Sequence, residues 1–474
     1  MTMQGKKHAA TADFLNQFIH DLQDIGFSGQ ILDGYADRLV NATDNSIYQI
    51  VPQLVLAPKS PDDIDLIIKV ANQKAHKHLK FTARGGGTGT NGQSLNDTIV
   101  IDTSRYLNEI IYLDQKKKTV ILQPGVVLDD LNEYLKPYGL YFPPHVSPSN
   151  RATIGGMVST DACGKGSRVY GKTSDYIHDF TAMLHDGTII SMDSDGGSGL
   201  YQDTADIIAG EYTAITKNLP SLPRGVNGYN LSAAYAPQDK KFKPAHLIAG
   251  SEGTLCILKE ITLSLIPLPS RKAVYALSYD SFDTALRDVG TLLEFDPSMI
   301  ETIDDHILEL ARGDNLWSSV KKILPAHIEA ANVKAMHFVA FETDDPKRLA
   351  AECEIFEGFL KTHNKDTRGF LGFYKTDDKA EIASIWAVRS KCVGLLGNME
   401  GARRPIPFVE DTAVPPENMA DFIADFRGYL GGLGLKCGVF GHADAGCLHV
   451  RPALNLQEKT DRKMIRTISD DVAG

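Results

Sequence analysis

Apolar positions along the chain fall into short blocks whose period switches between helical and extended. Residues 12–25 carry apolar side chains at helical spacing and read as an N-terminal helix. Residues 52–58 form a short apolar strand. The segment 61–72 after it opens on Pro61 and two acids and then repeats Ile, Leu and Val at helical spacing, which predicts an amphipathic helix. Strands are expected at 79–83 and 98–102, on either side of a glycine-rich loop. Residues 109–113 and 119–123 read as strands joined by the polar turn 114–118, and 128–135 as a helix ahead of Pro137. A second hairpin is expected from 176–185 and 188–192 across Asp186 and Gly187, a strong turn pair. An alternating run from 247 to 265 ends on Ile266-Pro267-Leu268-Pro269-Ser270, whose prolines mark a domain boundary. Beyond it, strand at 273–279, helix at 282–293, strand at 336–342 and helix at 346–363 predict an antiparallel sheet backed by helices. The pattern implies an α+β protein of two domains, 1–268 and 269–474, a count that suits 474 residues.

Charge narrows the partners. Lysine and arginine total 49 against 60 acidic residues, a net charge of -11, which disfavours nucleic acid and anionic lipid and points to a small molecule. The six cysteines, at 163, 256, 353, 392, 437 and 447, are dispersed, with neither a C-x-x-C pair nor the close spacing of a zinc or iron–sulfur site. They read as reduced thiols. The polar start lacks a secretory apolar stretch, and no apolar run approaches membrane-spanning length, so the expected location is cytoplasmic. Residues 467–474 close the chain directly after a charged helical pattern, and the C-terminal domain reads as truncated there.

Three glycine clusters carry the candidate chemistry. Arg84-Gly85-Gly86-Gly87-Thr88-Gly89-Thr90-Asn91-Gly92 is denser in glycine than a hairpin needs. Consecutive glycines allow backbone N–H groups to converge on an anion such as a pyrophosphate. A flexible linker would also be glycine-rich, but this loop is flanked by strands and lacks serine–glycine repetition. The second cluster runs from Ala152 to Gly164 with Gly155 and Gly156 at its centre, where tight packing alone would account for the glycines equally well. The third, Gly250-Ser251-Glu252-Gly253-Thr254, sits between apolar runs, where an ordinary turn would serve.

The order of these motifs resembles the FAD-linked oxidases with a vanillyl-alcohol oxidase (PCMH)-type FAD-binding domain, and among them the D-lactate, glycolate and D-2-hydroxyglutarate dehydrogenases, over about residues 40 to 455. Ile154-Gly155-Gly156 through Tyr170-Gly171 is similar to the family's flavin-contacting I-G-G…A-x-G…Y-G pattern, and residues 250–254 to its G-S-E-G-T motif. The resemblance implies that Arg84, Gly85, Gly86, Gly87, Thr88, Gly89 and Asn91 hold the pyrophosphate. It places Ile154, Gly155, Gly156, Asp161, Gly164, Tyr170 and Gly171 near the flavin ring and ribityl chain, and Glu252, Gly253 and Ile257 near the adenosine half. Some members attach FAD through a histidine near the first loop; Thr88 follows the three glycines here, so non-covalent FAD is expected.

Gly441-His442-Ala443-Asp444-Ala445-Gly446-Cys447-Leu448-His449 resembles the family's G-H-x-G-D-G-N-L-H, whose histidines bind a divalent metal. Asp444, Ala445 and Cys447 depart from it. The implied ligands are His442 and His449, with zinc, manganese or iron as the ion. The family's third ligand and its catalytic base lie in an E-H-G motif that does not occur between His449 and Gly474. Arg389 resembles the arginine that binds the substrate carboxylate, a task its two-pronged guanidinium suits; a helix-surface arginine is the plainer alternative. Two further pocket positions differ: a threonine is replaced by Val393, and a lysine aligns near Val409. For Glu410 to Pro415, similar to an E-D-x-A-V-P strand, only an architectural role is expected. Residues 35–58 look most like large bacterial members that continue into a C-terminal iron–sulfur region, the expected electron acceptor alongside a quinone or a soluble carrier. The expected reaction is FAD-dependent oxidation of a D-2-hydroxyacid, D-2-hydroxyglutarate or D-lactate, to the 2-oxoacid. The alternatives are an oxidase or reductase on the same fold and an FAD-binding scaffold that needs a partner. An oligomer and an indirect membrane association through the acceptor are compatible with all of these.

Overall fold

The computed structural model describes residues 3–474 except 221, 223, 225–226, 315–316, 318–331, 367–368 and 398–400. It divides into two compact units. The first holds Met1–Cys163, Lys172–Pro220 and Val226–Pro267; the second holds Gly164–Gly171, Ser221–Gly225 and Leu268–Gly474.

In the first unit, strands Leu54–Ala57, Ile99–Asp102 and Phe81–Arg84 pair in parallel, and Gln30–Leu32 adds an antiparallel edge. Parallel neighbours need a crossover. Here it is helix Pro61–Ala71, which starts at Pro61 because Ser60 caps it in a capping box with Asp63. The Asp63 carboxylate also accepts from the backbone and hydroxyl of Ser28, tying the helix start to the segment just before strand Gln30–Leu32. Ile67 and Val70 bury against Phe18 and Leu22 of the N-terminal helix Met3–Asp24. Each such side chain contributes about 1.5 to 3 kcal/mol by leaving water. A second sheet is antiparallel, ordered Ile110–Asp114, Thr119–Leu122, Ile257–Ser264, Ile177–Met183, Ile189–Ser191. Its inner side chains, among them Val120, Leu122, Ile261 and Leu263, cover Leu131 and Leu135 of helix Leu128–Leu135 and Ile154 and Met157 of helix Ile154–Ser159.

The second unit is an antiparallel sheet ordered Phe370–Thr376, Arg271–Tyr279, Ala335–Thr343, Met299–Ile303, Cys437–His442 and Cys447–Leu454, with Arg404–Pro405 and Thr412–Ala413 also paired to the last of these. Alternate residues face opposite sides. Val274 and Ala276 pack with Ile307 and Leu308 of helix Asp305–Arg312 and with Ile385 and Val388 of helix Lys379–Ser390. Tyr275 and Tyr279 face the other way, onto Phe356 and Phe370. Phe356 lies on helix Pro346–Asp366.

The alternating run expected from 247 to 265 is extended only in its second half, Ile257–Ser264. Helix Pro244–Ile248 and a turn come first, because Gly250, Glu252 and Gly253 take positive φ, which ends any strand. Among the described residues, no helix is long and apolar enough to cross a membrane.

Candidate functional site

The glycine clusters meet in the first unit although more than 150 residues separate the outer two in sequence. Strand Phe81–Arg84 delivers Gly85 and Gly86 against residues 151–153. A Cβ on Gly85 would fall 2.0 Å from Thr153 Oγ1, and one on Gly86 would fall 1.9 Å from the Arg151 carbonyl oxygen. Gly87 turns the chain with φ +61. Thr153 also caps helix Ile154–Ser159, accepting from Gly156 N at 3.3 Å. The third cluster docks on the far end of that helix, where Gly250 N donates to Val158 O (3.1 Å) and Glu252 N to Ser159 O (2.7 Å). Gly250 needs φ +84 and would place a Cβ 2.5 Å from Gly228 O. The result is three glycine-rich segments packed together, with the Thr153 side chain against Gly85, while Gly253 opens onto space with nothing within 4 Å of a built Cβ. A cradle of bare backbone suits a pyrophosphate and a flat ring, so the residues present fit FAD.

Individual residues within the cradle take distinct jobs. Arg84 turns into its own loop, donating from Nη1 to Ser94 Oγ (3.1 Å) and from Nη2 to the Thr43 carbonyl (2.6 Å), where it braces the glycines. Asn91 donates its backbone N–H to Gln93 Oε1 at 3.1 Å, and Gln93 also fills the space beside Gly89. Asp161 holds a positive φ of 47, pairs with Lys172 Nζ at 2.5 Å and accepts from Ser174 N at 2.9 Å. Burial raises the carboxyl of Glu252 above its ordinary value.

The loop Gly164–Gly171 belongs to the second unit. Gly166 and Gly171, both at positive φ, bracket the short helix Ser167–Tyr170. Tyr170 donates its hydroxyl to Glu342 Oε2 at 2.8 Å, and Lys272, the cross-strand neighbour of Glu342, is ion-paired with the same carboxylate.

Sheet register in the second unit brings the distal motifs together. Glu301 and His442 are cross-strand partners on strands Met299–Ile303 and Cys437–His442. Glu301 Oε1 lies 2.6 Å from His442 Nδ1, and its Oε2 accepts from Arg389 Nε at 2.6 Å. Arg389 is therefore no surface residue: it is 5% exposed, and its guanidinium covers the Phe440 ring at 4.9 Å. Burial alone would raise the Glu301 carboxyl, but Arg389 and His442 overcome it and hold the group well below the usual carboxylate range. Burial lowers His442 to about 4, so its ring is neutral at neutral pH. Burial, then the Glu301 charge, raises Asp444 to about 7.

His449 stands beside His442, ring centroids 5.3 Å apart, with its Nδ1 2.6 Å from Asp411 Oδ1. Asp411 sits at φ +62, on the approach to strand Thr412–Ala413, which pairs with Cys447 and Leu448. Its segment thus does more than build the sheet. Glu410, the preceding residue, is bound instead by Arg451 Nε at 2.7 Å. Both histidines are held at Nδ1 by a carboxylate, the arrangement that fixes the tautomer and presents Nε2 to a metal. Two imidazoles fit a divalent ion. No third ligand joins them: among the described residues, the one group of three His, Cys, Asp or Glu ligand atoms within 4.8 Å of one another is Asp304, Asp305 and His306, where Arg427 already pairs with both carboxylates. Val409 is buried, and the side chain of Val393 lies outside what is described. Glu301, which joins two predicted residues, was missed by sequence reasoning. Its only signal is an acid inside an apolar strand.

Two family models match the chain: an FAD binding domain over residues 52–193 and the C-terminal domain of FAD linked oxidases over 268–474. A D-2-hydroxyglutarate dehydrogenase of Haemophilus influenzae is 41% identical over 97% of this chain and 46% of that protein. A D-lactate dehydrogenase of Archaeoglobus fulgidus is 25% identical over 84% of this chain and 75% of that protein. The chain thus spans about half the length of the more similar of these two relatives. Among solved structures, alkyldihydroxyacetonephosphate synthase matches with a TM-score of 0.70 at 17% identity, covering 96% of this chain and 79% of the other, which shows a shared fold.

Proposed function

We propose that this chain, which belongs to the family of FAD-linked oxidases, oxidises a D-2-hydroxyacid to the 2-oxoacid, with D-2-hydroxyglutarate ahead of D-lactate as substrate. The observation that supports it is the Arg389–Glu301–His442 chain of contacts, which holds a guanidinium next to a neutral imidazole. The 41% identity to a D-2-hydroxyglutarate dehydrogenase supports the order of substrates.

Arg389 keeps Nε on Glu301 and offers its Nη edge to the substrate carboxylate, an orientation that a flexible, single-point cation would not impose. FAD bound non-covalently in the glycine cradle supplies the two-electron acceptor for the hydrogen leaving C2. His442 and His449, each held at Nδ1 by a carboxylate, would hold a divalent ion through Nε2, and that ion would lower the pKa of the C2 hydroxyl. Glu301 and Asp411 fix the two rings so that the same nitrogen of each is always presented. The electrons pass on to an acceptor, for which an iron–sulfur region of the whole protein, a quinone and a soluble carrier are the candidates.

Arg389→Lys tests the assignment, because it keeps the charge and loses the fork. In the full-length protein with a dye acceptor, KM for D-2-hydroxyglutarate is expected to rise about 10- to 100-fold with flavin content unchanged. An unaltered KM would remove Arg389 from the site.

A further inference from the structure

Beside Arg389 lies a cation with no part in the chemistry at C2. Helix Lys379–Ser390 carries Trp386 and Arg389 three positions apart, hence as neighbours on one face. Lys165, from the loop Gly164–Gly171, holds its Nζ over the Trp386 ring, 4.4 Å from the centroid. The indole face attracts an ammonium but leaves most of its N–H groups undirected.

Every other charge around this lysine has a partner. Lys272 is paired with Glu342, which also accepts from Tyr170; Arg389 is paired with Glu301, which also faces His442. Lys165 makes no ion pair with a carboxylate among the described residues. Burial, then the neighbouring Lys272, lowers it to about 8, as expected of an ammonium held out of water beside like charge. Glu342 and Glu301 favour its charge without pairing with it directly, and a partly buried cation that no carboxylate touches is costly unless something supplies a direct partner.

We infer that Lys165 binds the second carboxylate of a dicarboxylic 2-hydroxyacid whose first carboxylate occupies Arg389, and so selects dicarboxylic over monocarboxylic substrates. The inference rests on the proposed function and adds its specificity-determining residue. Trp386 sets the placement: it holds the ammonium over a ring whose residue lies one helical turn from Arg389, so the two cations flank the same helix face. Lysine suits this end of the substrate, because a compact charge on a flexible stem accepts a carboxylate in several rotamers, whereas the reacting end needs the oriented fork of Arg389.

The test compares glutarate, which carries both carboxylates and no oxidisable hydroxyl, with valerate, which has the same chain length and one carboxylate. Binding of each to the full-length, flavin-loaded protein is measured by calorimetry. The wild type is expected to bind glutarate more tightly than valerate. Lys165→Met should weaken glutarate about 10- to 100-fold and shrink the preference toward unity, and Lys165→Arg should restore most of it. In turnover, the loss in Lys165→Met should appear in KM for D-2-hydroxyglutarate and reduce its kcat/KM relative to that for D-2-hydroxyvalerate. Equal losses for the mono- and dicarboxylic ligands, or no preference for glutarate in the wild type, would overturn the inference. Glutarate binding that depends on Lys165 in a protein that oxidises no hydroxyacid would sustain it and refute the proposed reaction instead.

Discussion

Glu301 answers two groups at once, and its carboxylate is fully buried between them. Glu301→Gln keeps the shape but leaves the Arg389 guanidinium buried without its counter-charge, a loss that typically costs about 3 to 5 kcal/mol. Chemical denaturation should show a lower midpoint for the variant, and a midpoint equal to wild type would mean that the ion pair does not hold this part of the sheet. Asp444 predicts the opposite kind of change. Its carboxyl, raised to about 7 by burial and then by Glu301, binds its proton more tightly folded than unfolded. The stability it contributes is therefore full below the unfolded value of about 4 and is lost as pH rises through about 7. Asp444→Asn removes that dependence, so the variant should gain on wild type between pH 5 and pH 8 by a few kcal/mol. Thermal melts across that range would read it, and parallel curves for the two proteins would refute the linkage.

At the level of elements, the glycine loop is held by packing as much as by φ. Gly86→Val drives a side chain into the Arg151 carbonyl, and Gly87→Val adds strain at φ +61 and collides with Arg84 Nη2, 2.4 Å from a built Cβ. Both variants should be purified with little or no flavin, as read from the visible spectrum; full flavin stoichiometry in Gly87→Val would contradict the loop assignment. The loop was legible in the chain because strands flank it and an ordinary turn between strands needs far fewer glycines. The paired strands at 110–114 and 119–122 and the capped helix Pro61–Ala71 were legible for the same local reasons: alternation, a polar turn, a serine before proline and acids. Glu301 was not, because its role appears only when register places it across from His442, 141 positions away. Lys165 was hidden likewise, since a lysine between glycines reads as a solvated loop residue until Trp386 is seen beneath it. Asp411 was read as part of a structural strand because its contact with His449 depends on a positive φ that nothing in its neighbours announces.

Across the whole molecule, the division of labour follows the two units. The first assembles bare backbone into a cradle for FAD, and the second gathers arginine, histidines and carboxylates from distant strands. Net charge of -11 leaves these cations as local exceptions on an acidic protein, which favours a small anionic substrate over an extended polyanion. D-configured 2-hydroxyacids are expected to reduce the bound flavin, which the anaerobic visible spectrum of the full-length holoenzyme reads most directly as each acid is added. Bleaching by D-2-hydroxyglutarate and not by its L-enantiomer is the predicted result; bleaching by L-acids alone, or by NADPH alone, would contradict it.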